Sequence, residues 1–341
     1  SSVAAALLKE QGYHVIGATM RLWTYSDSCN MKHEGCCAES AVEDARRVCD
    51  KLGIDFYVMN FKDMFKDKVV DYFVDEYIHG RTPNPCIACN KYLKFDALLK
   101  KALAMGIDYV ATGHYAKIEK GEDGKYILRA SEAVKKDQSY VLYNFTQEQL
   151  AHTLMPLGGY NKDWVRQKAE ELGLGVAHKP DSQEICFVED DDYAKFITDY
   201  SGYKPKEGDI LDVNGNVIGK HRGLIYYTIG QRKGIGAYGR PMFVMKIDAE
   251  NNTITLGEKG MEFSNELTAY DVNFVSGEFP KENMLITAKV RYQAPPAAAM
   301  LCPQKDGTVK LMFPEPQRAV TPGQAVVFYD GDIVLGGGTV L

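Results

Sequence analysis

Apolar residues change rhythm three times in the first third of the chain. A helix-period stretch closes at Gly12 and yields to the β-rich run 13–20; the next closes at Gly53 before 54–59, and a third at Gly106 before 107–112. A glycine just past a helix supplies the left-handed residue that ends it, so each unit reads as helix, turn and strand. The middle helix carries Ala41, Ala45, Val48, Cys49 and Leu52 on one face and is predicted to open with a capping box, Ser40 with Glu43. Helices alternating with mostly apolar strands predict an α/β domain whose parallel sheet is covered on both faces. Ligands of such sheets bind beyond the carboxyl ends of the strands, here near Met20, Asn60 and Gly113-His114.

Further along, Phe65, Val69, Tyr72, Phe73 and Tyr77 are spaced as the buried stripe of a helix over 63–79, and their rings read as packing rather than as base-stacking platforms. Phe95, Leu98, Leu99 and Ala102 mark a helix over 91–103, and another over 161–172 closes at Gly173. From about Lys204 the texture turns to hairpins: 209–213 and 216–218 flank the turn signal Asn214-Gly215. From about Glu262, short alternating strands with Asp-Gly turns predict a small antiparallel barrel, a frequent RNA-binding architecture.

A chain of 341 residues with 45% hydrophobic side chains can bury a large core and should divide into two or three domains. No apolar run reaches membrane length, and no export signal is visible; the eight scattered cysteines then fit reduced thiols in a cytoplasmic protein. The net charge of -6 gives no global attraction for nucleic acid, so an RNA contact has to come from a local basic patch.

The stretch richest in chemistry is Arg81–Asn90, Arg-Thr-Pro-Asn-Pro-Cys-Ile-Ala-Cys-Asn. Two prolines around one asparagine predict a rigid extended loop, with a helix starting where Cys86 and Cys89 end it. There the positive end of the helix dipole favours thiolate. Spacing alone leaves sulfur or redox chemistry and metal binding open, although no second Cys-x-x-Cys supplies the remaining ligands of a zinc site. Cys29, His33, Cys36 and Cys37 form a second cluster, better read as a surface loop than as a zinc site. Gly113 permits close backbone approach to a ligand, while His114 alone says little. The run Lys136–Tyr143 suits a helix start capped by Asp137 as well as it suits a functional cluster. The polar stretch 178–187 delivers Cys186, which predicts an exposed, reactive thiol. Arg232 and Lys233 sit among glycines in 230–236, a pattern as suited to phosphate contact as to an exposed hairpin.

Eight motifs in order (Gly80–Pro85, Cys89-Asn90, Ala111–Tyr115, Lys136–Tyr140, Ile185–Phe187, Gly230–Gly234, Val290–Tyr292 and Thr321–Gln324) resemble the bacterial tRNA-specific 2-thiouridylase family over essentially the whole chain. The resemblance implies an N-terminal parallel-sheet ATP-pyrophosphatase (PP-loop) domain over 1–192, a small central β-rich domain over 193–263 and a C-terminal β-barrel that binds tRNA over 264–341. It implies that ATP, with Mg2+, adenylates O2 of the wobble uridine of tRNA, and that a cysteine persulfide then delivers sulfur, releasing AMP and pyrophosphate. Cys186 would carry the persulfide and Cys89 would be the nucleophile that forms a disulfide with it. Asn84, Pro85 and Cys86 match the target-base segment; Ser1, Ser2, Met20 and Gly113 match ATP contacts; and His114, Lys136, Asp137, Gln138, Arg291, Tyr292 and Gln324 match tRNA contacts. A persulfide donor, a cysteine desulfurase or a relay protein, is the implied protein partner.

Two departures from the family pattern stand out. Family members begin with a strand and a Ser-Gly-Gly-Val-Asp-Ser-Ser loop, of which this chain has only the final pair, Ser1 and Ser2. Cys86 occupies a position where the family often has Asp, a proposed general acid/base. Members with this Cys-x-x-Cys pattern suit an iron–sulfur cluster on Cys86, Cys89 and Cys186, with one iron left open, as an alternative to the persulfide route. The competing readings are another ATP-pyrophosphatase, a tRNA-binding protein without catalysis, and a purely structural metal site.

Overall fold

The computed structural model describes residues 1–23, 39–133, 136–175, 185–188 and 191–341. The expected surface loop with Cys29, His33, Cys36 and Cys37 lies outside the described residues, as do 178–184 on the approach to Cys186. The helix after the first strand runs Glu39–Leu52, so it begins one residue before the expected cap, Ser40, whose side chain is also outside the described residues.

The glycine-punctuated units fold as the periodicity predicts. Helix Ser2–Glu10 leads to strand Ile16–Arg21, and helix Glu39–Leu52 to strand Asp55–Asn60. Gly12, Gly53 and Gly106 all take positive φ, the conformation that releases a chain from a helix. The two strands pair in parallel from Ile16↔Asp55 to Arg21↔Asn60. Gly17 is required here: a Cβ would collide with Sγ of Cys49, which lets the helix sit close on the strand. Cys49 is thereby buried, and burial raises its thiol pKa, the opposite of an activated cysteine.

The third strand departs from expectation. Only Val110–Ala111 is a strand, and it pairs in parallel with Thr153–Leu154. The parallel strands of the N-terminal part thus form two separate two-stranded ladders among the described residues. The aromatic stripe is packing, as expected: helical turns run continuously from Lys62 to Ile78, with Phe65, Val69, Phe73 and Tyr77 buried and Tyr72 half-buried.

The central segment is a four-stranded sheet in which Gly208–Leu211 pairs antiparallel with Val217–His221 and parallel with Thr253–Glu258, followed by Met242–Asp248. Asp212 fixes its turn by accepting from the amides of Asn214 and Asn216 at 2.8 and 2.9 Å, and Gly215 supplies positive φ.

Six antiparallel strands close the C-terminal barrel: Phe263–Phe274, Val309–Arg318, Ala297–Pro303, Met284–Lys289, Ala325–Asp330 and Ile333–Val340, the last pairing back to the first. An N-terminal hairpin, Ala116–Lys120 with Tyr126–Ala130, extends this sheet through Ile333↔Arg129. Barrel and α/β domain therefore share backbone hydrogen bonds, including Ala130 N–H to Asp332 O at 2.8 Å. No helix among the described residues is long and apolar enough to cross a membrane.

Candidate active site

The Pro-Asn-Pro-Cys segment is extended only as far as Asn84. The helix expected where Cys86 and Cys89 end the loop starts already at Pro85 and continues as Pro85–Ala88, the widened π-helical turns Cys89–Ala97 and Leu98–Ala104. The physical reason is local. Proline at the first helical position loses no hydrogen bond, and Asn84 is an efficient cap whose Oδ1 accepts from the amides of Cys86 and Ile87 at 3.1 and 3.3 Å. Asn84→Ala should therefore cost about 1 kcal/mol of stability, read by urea denaturation; an unchanged midpoint would mean the cap carries no weight.

This start gives the two thiols different settings. Cys86 stands in the first turn and is exposed, while Cys89, one turn on, is buried. Cys186 arrives from far along the chain and is half-buried. Its neighbour Phe187 anchors it: that ring is almost fully buried, 5.2 Å from Phe73, 5.7 Å from Phe65 and 5.2 Å from Phe196. Burial of one such ring contributes about 2–3 kcal/mol. Cys89 belongs to the same apolar cluster, and Cys186 and Met20 pack against it. The thiol expected to be exposed at Cys186 is thus held against the core by the residue that follows it.

Ser1 and Gly113 also meet. A Cβ on Gly113 would strike the backbone nitrogen of Ser1, so the glycine keeps the start of helix Ser2–Glu10 against the loop after Val110–Ala111. His114 follows; its Nδ1 pairs with Thr112 Oγ1 at 2.8 Å and its ring packs on Phe95. Burial, with the charge of Lys94 adding, pushes its imidazole well below the ordinary histidine range. His114 is therefore a neutral hydrogen-bonding group near pH 7, unsuited to an ion pair with phosphate.

Of the expected tRNA contacts, Asp137 and Tyr292 meet, and Cys86 acts on Tyr292. Asp137 accepts from Ser131 N–H, Ser139 N–H and Ser139 Oγ–H at 3.0, 3.2 and 2.7 Å, fixing the turn Ser139–Leu142. It holds the start of that turn, the structural one of the two sequence readings. Gln138 clamps Tyr115 through two bonds, at 2.9 and 3.0 Å. Tyr292 donates to Asp137 O at 3.1 Å; burial raises its pKa, with the charges of Asp137 and Cys86 adding. Arg291 is half-buried beside it, and the Lys136 amide donates to Ala133 O at 2.7 Å. Gln324 lies elsewhere: its amide donates to Thr82 O at 2.7 Å, tying the barrel to the Pro-Asn-Pro segment.

A cavity of about 420 Å³ opens beside the helix that starts at Pro85, lined by Asn84, Ile87, Ala88, Lys91, Tyr72 and Tyr270 among others, with neither Cys86 nor Cys89 in its wall. As for metals, no three His, Cys, Asp or Glu side chains among the described residues stand together as an ion requires.

The fold has its counterpart in three family models. The tRNA methyl transferase HUP domain matches residues 1–190, the tRNA methyl transferase PRC-barrel domain 194–258, and the aminomethyltransferase beta-barrel domain 264–340. A tRNA-specific 2-thiouridylase MnmA of Acetivibrio thermocellus is 59% identical across the whole of this chain and 96% of its own length. The chain belongs to the tRNA-specific 2-thiouridylase family. Another member, the MnmA of Clostridioides difficile, is 57% identical over 100% of the chain and 94% of its own length. MnmA 1 of a Thermoanaerobacter strain shows the same 57% over 343 residues, with 100% and 94% coverage. The family is one of sulfurtransferases that use ATP through the HUP domain. Sequence reading did not single out Lys289 or Tyr140 as neighbours of the Cys86 cluster. The only signal was the strand alternation that runs from Ile286 into Arg291-Tyr292.

Proposed function

We propose that this chain is a tRNA-uridine 2-sulfurtransferase that activates the wobble uridine with ATP and delivers sulfur from a persulfide on Cys186. The observation that carries the reading is the sharing of one apolar cluster by Cys89, Cys186 and Met20, which come from three separate elements. Adenylation of uridine O2 replaces a poor leaving group with AMP and releases pyrophosphate, with Mg2+ accompanying the triphosphate. The terminal persulfide sulfur bonds to C2 and AMP departs with the C2–O2 bond electrons. Cys89 thiolate then attacks Sγ of Cys186, forming a disulfide and leaving the sulfur on the nucleobase; an external thiol reduces the disulfide for the next turnover. Sulfur reaches Cys186 from a persulfide-bearing protein, a cysteine desulfurase or relay. Cys86 is exposed at the candidate base position, where its thiol could exchange a proton only in a tuned environment.

Asn84, Pro85 and Cys86 offer a splayed base a fixed wall, since the cap and the proline leave the backbone little freedom. Asp137, Gln138, Arg291 and Tyr292 face the tRNA, with Lys136 and His114 at the margin of that patch, and Ser1, Ser2, Met20 and Gly113 hold ATP. The deciding experiment is thiolation of unmodified tRNA by purified protein with ATP and a persulfide donor, with and without iron–sulfur reconstitution. Thiouridine formed by iron-free protein is the expected result. Activity only after reconstitution would shift the reading to a cluster on Cys86, Cys89 and Cys186, and tRNA binding without thiolation would leave a binding protein.

A further inference from the structure

Lys289 ends the strand Met284–Lys289, and its ammonium lies 5.9 Å from the ring centre of Tyr140 and 5.8 Å from that of Tyr292. The two rings meet edge to face at 5.8 Å. The lysine is half-buried, and among the described residues no carboxylate lies within ion-pair distance of it. Its titratable neighbours are Asp137, which acts on it through space, Tyr140 and Tyr292; Cys86 in turn acts on Tyr292. Burial lowers its pKa from the usual lysine value, and only Asp137 pulls the other way. Half-burying a cation without a partner costs free energy that two aromatic faces offset only in part. Such a cation is satisfied by an anion arriving from solution.

We infer that Lys289 binds a backbone phosphate of the RNA next to the extruded target nucleotide. This rests on the tRNA reading above and names a binding residue of that same site. The placement fits: Tyr292 is 39% exposed, has Lys289 over its ring and feels Cys86 at the start of the helix from Pro85, so a base against Asn84–Cys86 would put its flanking backbone over the Tyr292 ring, with Tyr140 buried beneath. Lys289 needs no base edge to do this, so its contribution is independent of sequence.

The test compares wild type, Lys289→Met and Lys289→Arg in tRNA binding across a salt series and in thiolation. Lys289→Met should bind tRNA roughly five- to tenfold more weakly, with the salt slope shallower by about 0.7–0.9. Lys289→Arg should keep the slope, and the KM for ATP should stay unchanged in both. An unchanged slope in Lys289→Met overturns the inference while leaving the thiolation reading intact; a raised KM for ATP with unaltered tRNA affinity would assign the cation to the nucleotide's phosphates and overturn it as well. Failure of wild type to bind tRNA at all would instead remove the function proposed above. Should Lys289→Met not fold, limited acylation of the wild-type protein followed by peptide mapping gives the same answer: bound tRNA should protect Lys289, and an unprotected lysine overturns the assignment.

Discussion

Thiolation by the Cys186→Ser variant is expected to fall by roughly three orders of magnitude or more, with tRNA affinity nearly unchanged. A serine hydroxyl cannot hold a transferable sulfur, so no residual route passes through that position. The fold should tolerate the change, because the segment is anchored by the buried Phe187 ring rather than by the half-buried thiol. Cys89→Ser should be just as inactive but for a different reason. Its Cys186 would still accept sulfur from the donor and pass it onto C2, but the resulting link between Cys186 and the nucleobase sulfur would not be cleaved. Alkylation and peptide mass mapping after incubation with donor alone separates the two: labelled persulfide on Cys186 in Cys89→Ser, none at that position in Cys186→Ser. Loss of tRNA affinity in Cys186→Ser would count against a catalytic role, and persulfide found only on Cys89 would invert the assignment.

The parts of this molecule that were legible in its sequence are those decided within one element. Gly12, Gly53 and Gly106 announced helix ends because the left-handed conformation is a property of single residues. The stripe from Phe65 to Tyr77 announced a buried face because helical periodicity depends on nothing outside the helix. The Pro-Asn-Pro segment was read as a loop giving way to a helix at Cys86 and Cys89; the helix takes in Pro85 too, because proline at the first position starts a helix rather than breaking one. The strand after Gly106 was read too long because β-propensity does not say how many partner residues exist, and only Thr153–Leu154 pairs with it. Motif likeness located Cys89 and Cys186, whereas their placement on one apolar cluster depends on Phe187 docking among Phe65, Phe73 and Phe196, a contact between elements. Lys289 was invisible for the same reason. Its two rings come from an N-terminal turn and a barrel loop, and only the docking of the barrel brings them together.

That docking yields the second large effect, at the joint beneath the catalytic helix. Arg81 forms a two-point pair with Glu76, Nε to Oε2 at 2.9 Å and a terminal nitrogen to Oε1 at 2.5 Å. The Glu76 side chain is 7% exposed and that of Arg81 37%. Against this pair sits the barrel turn: Gly323 has φ +86°, and a Cβ there would lie 3.0 Å from Arg81 Cβ and 3.2 Å from Glu76 Oε2. Thr82 completes the joint, donating its N–H to Pro322 O at 2.9 Å and accepting from Gln324 at 2.7 Å. Removing Arg81 leaves a nearly buried carboxylate without its cation. Loss of one partner of a buried pair costs about 3–5 kcal/mol, and the solvent reaching Arg81 trims this to about 2–3 kcal/mol for Arg81→Met. Because Arg81 precedes Thr82–Asn84, thiolation should drop together with stability as the cap on the catalytic helix loosens. The double variant Glu76→Leu/Arg81→Met should recover most of the stability, since replacing both members of such a pair with apolar groups is close to neutral. Urea denaturation of the single and double variants reads the difference. A single variant as stable as wild type, or a double variant no better than the single, would show that the charge pair does not hold the joint.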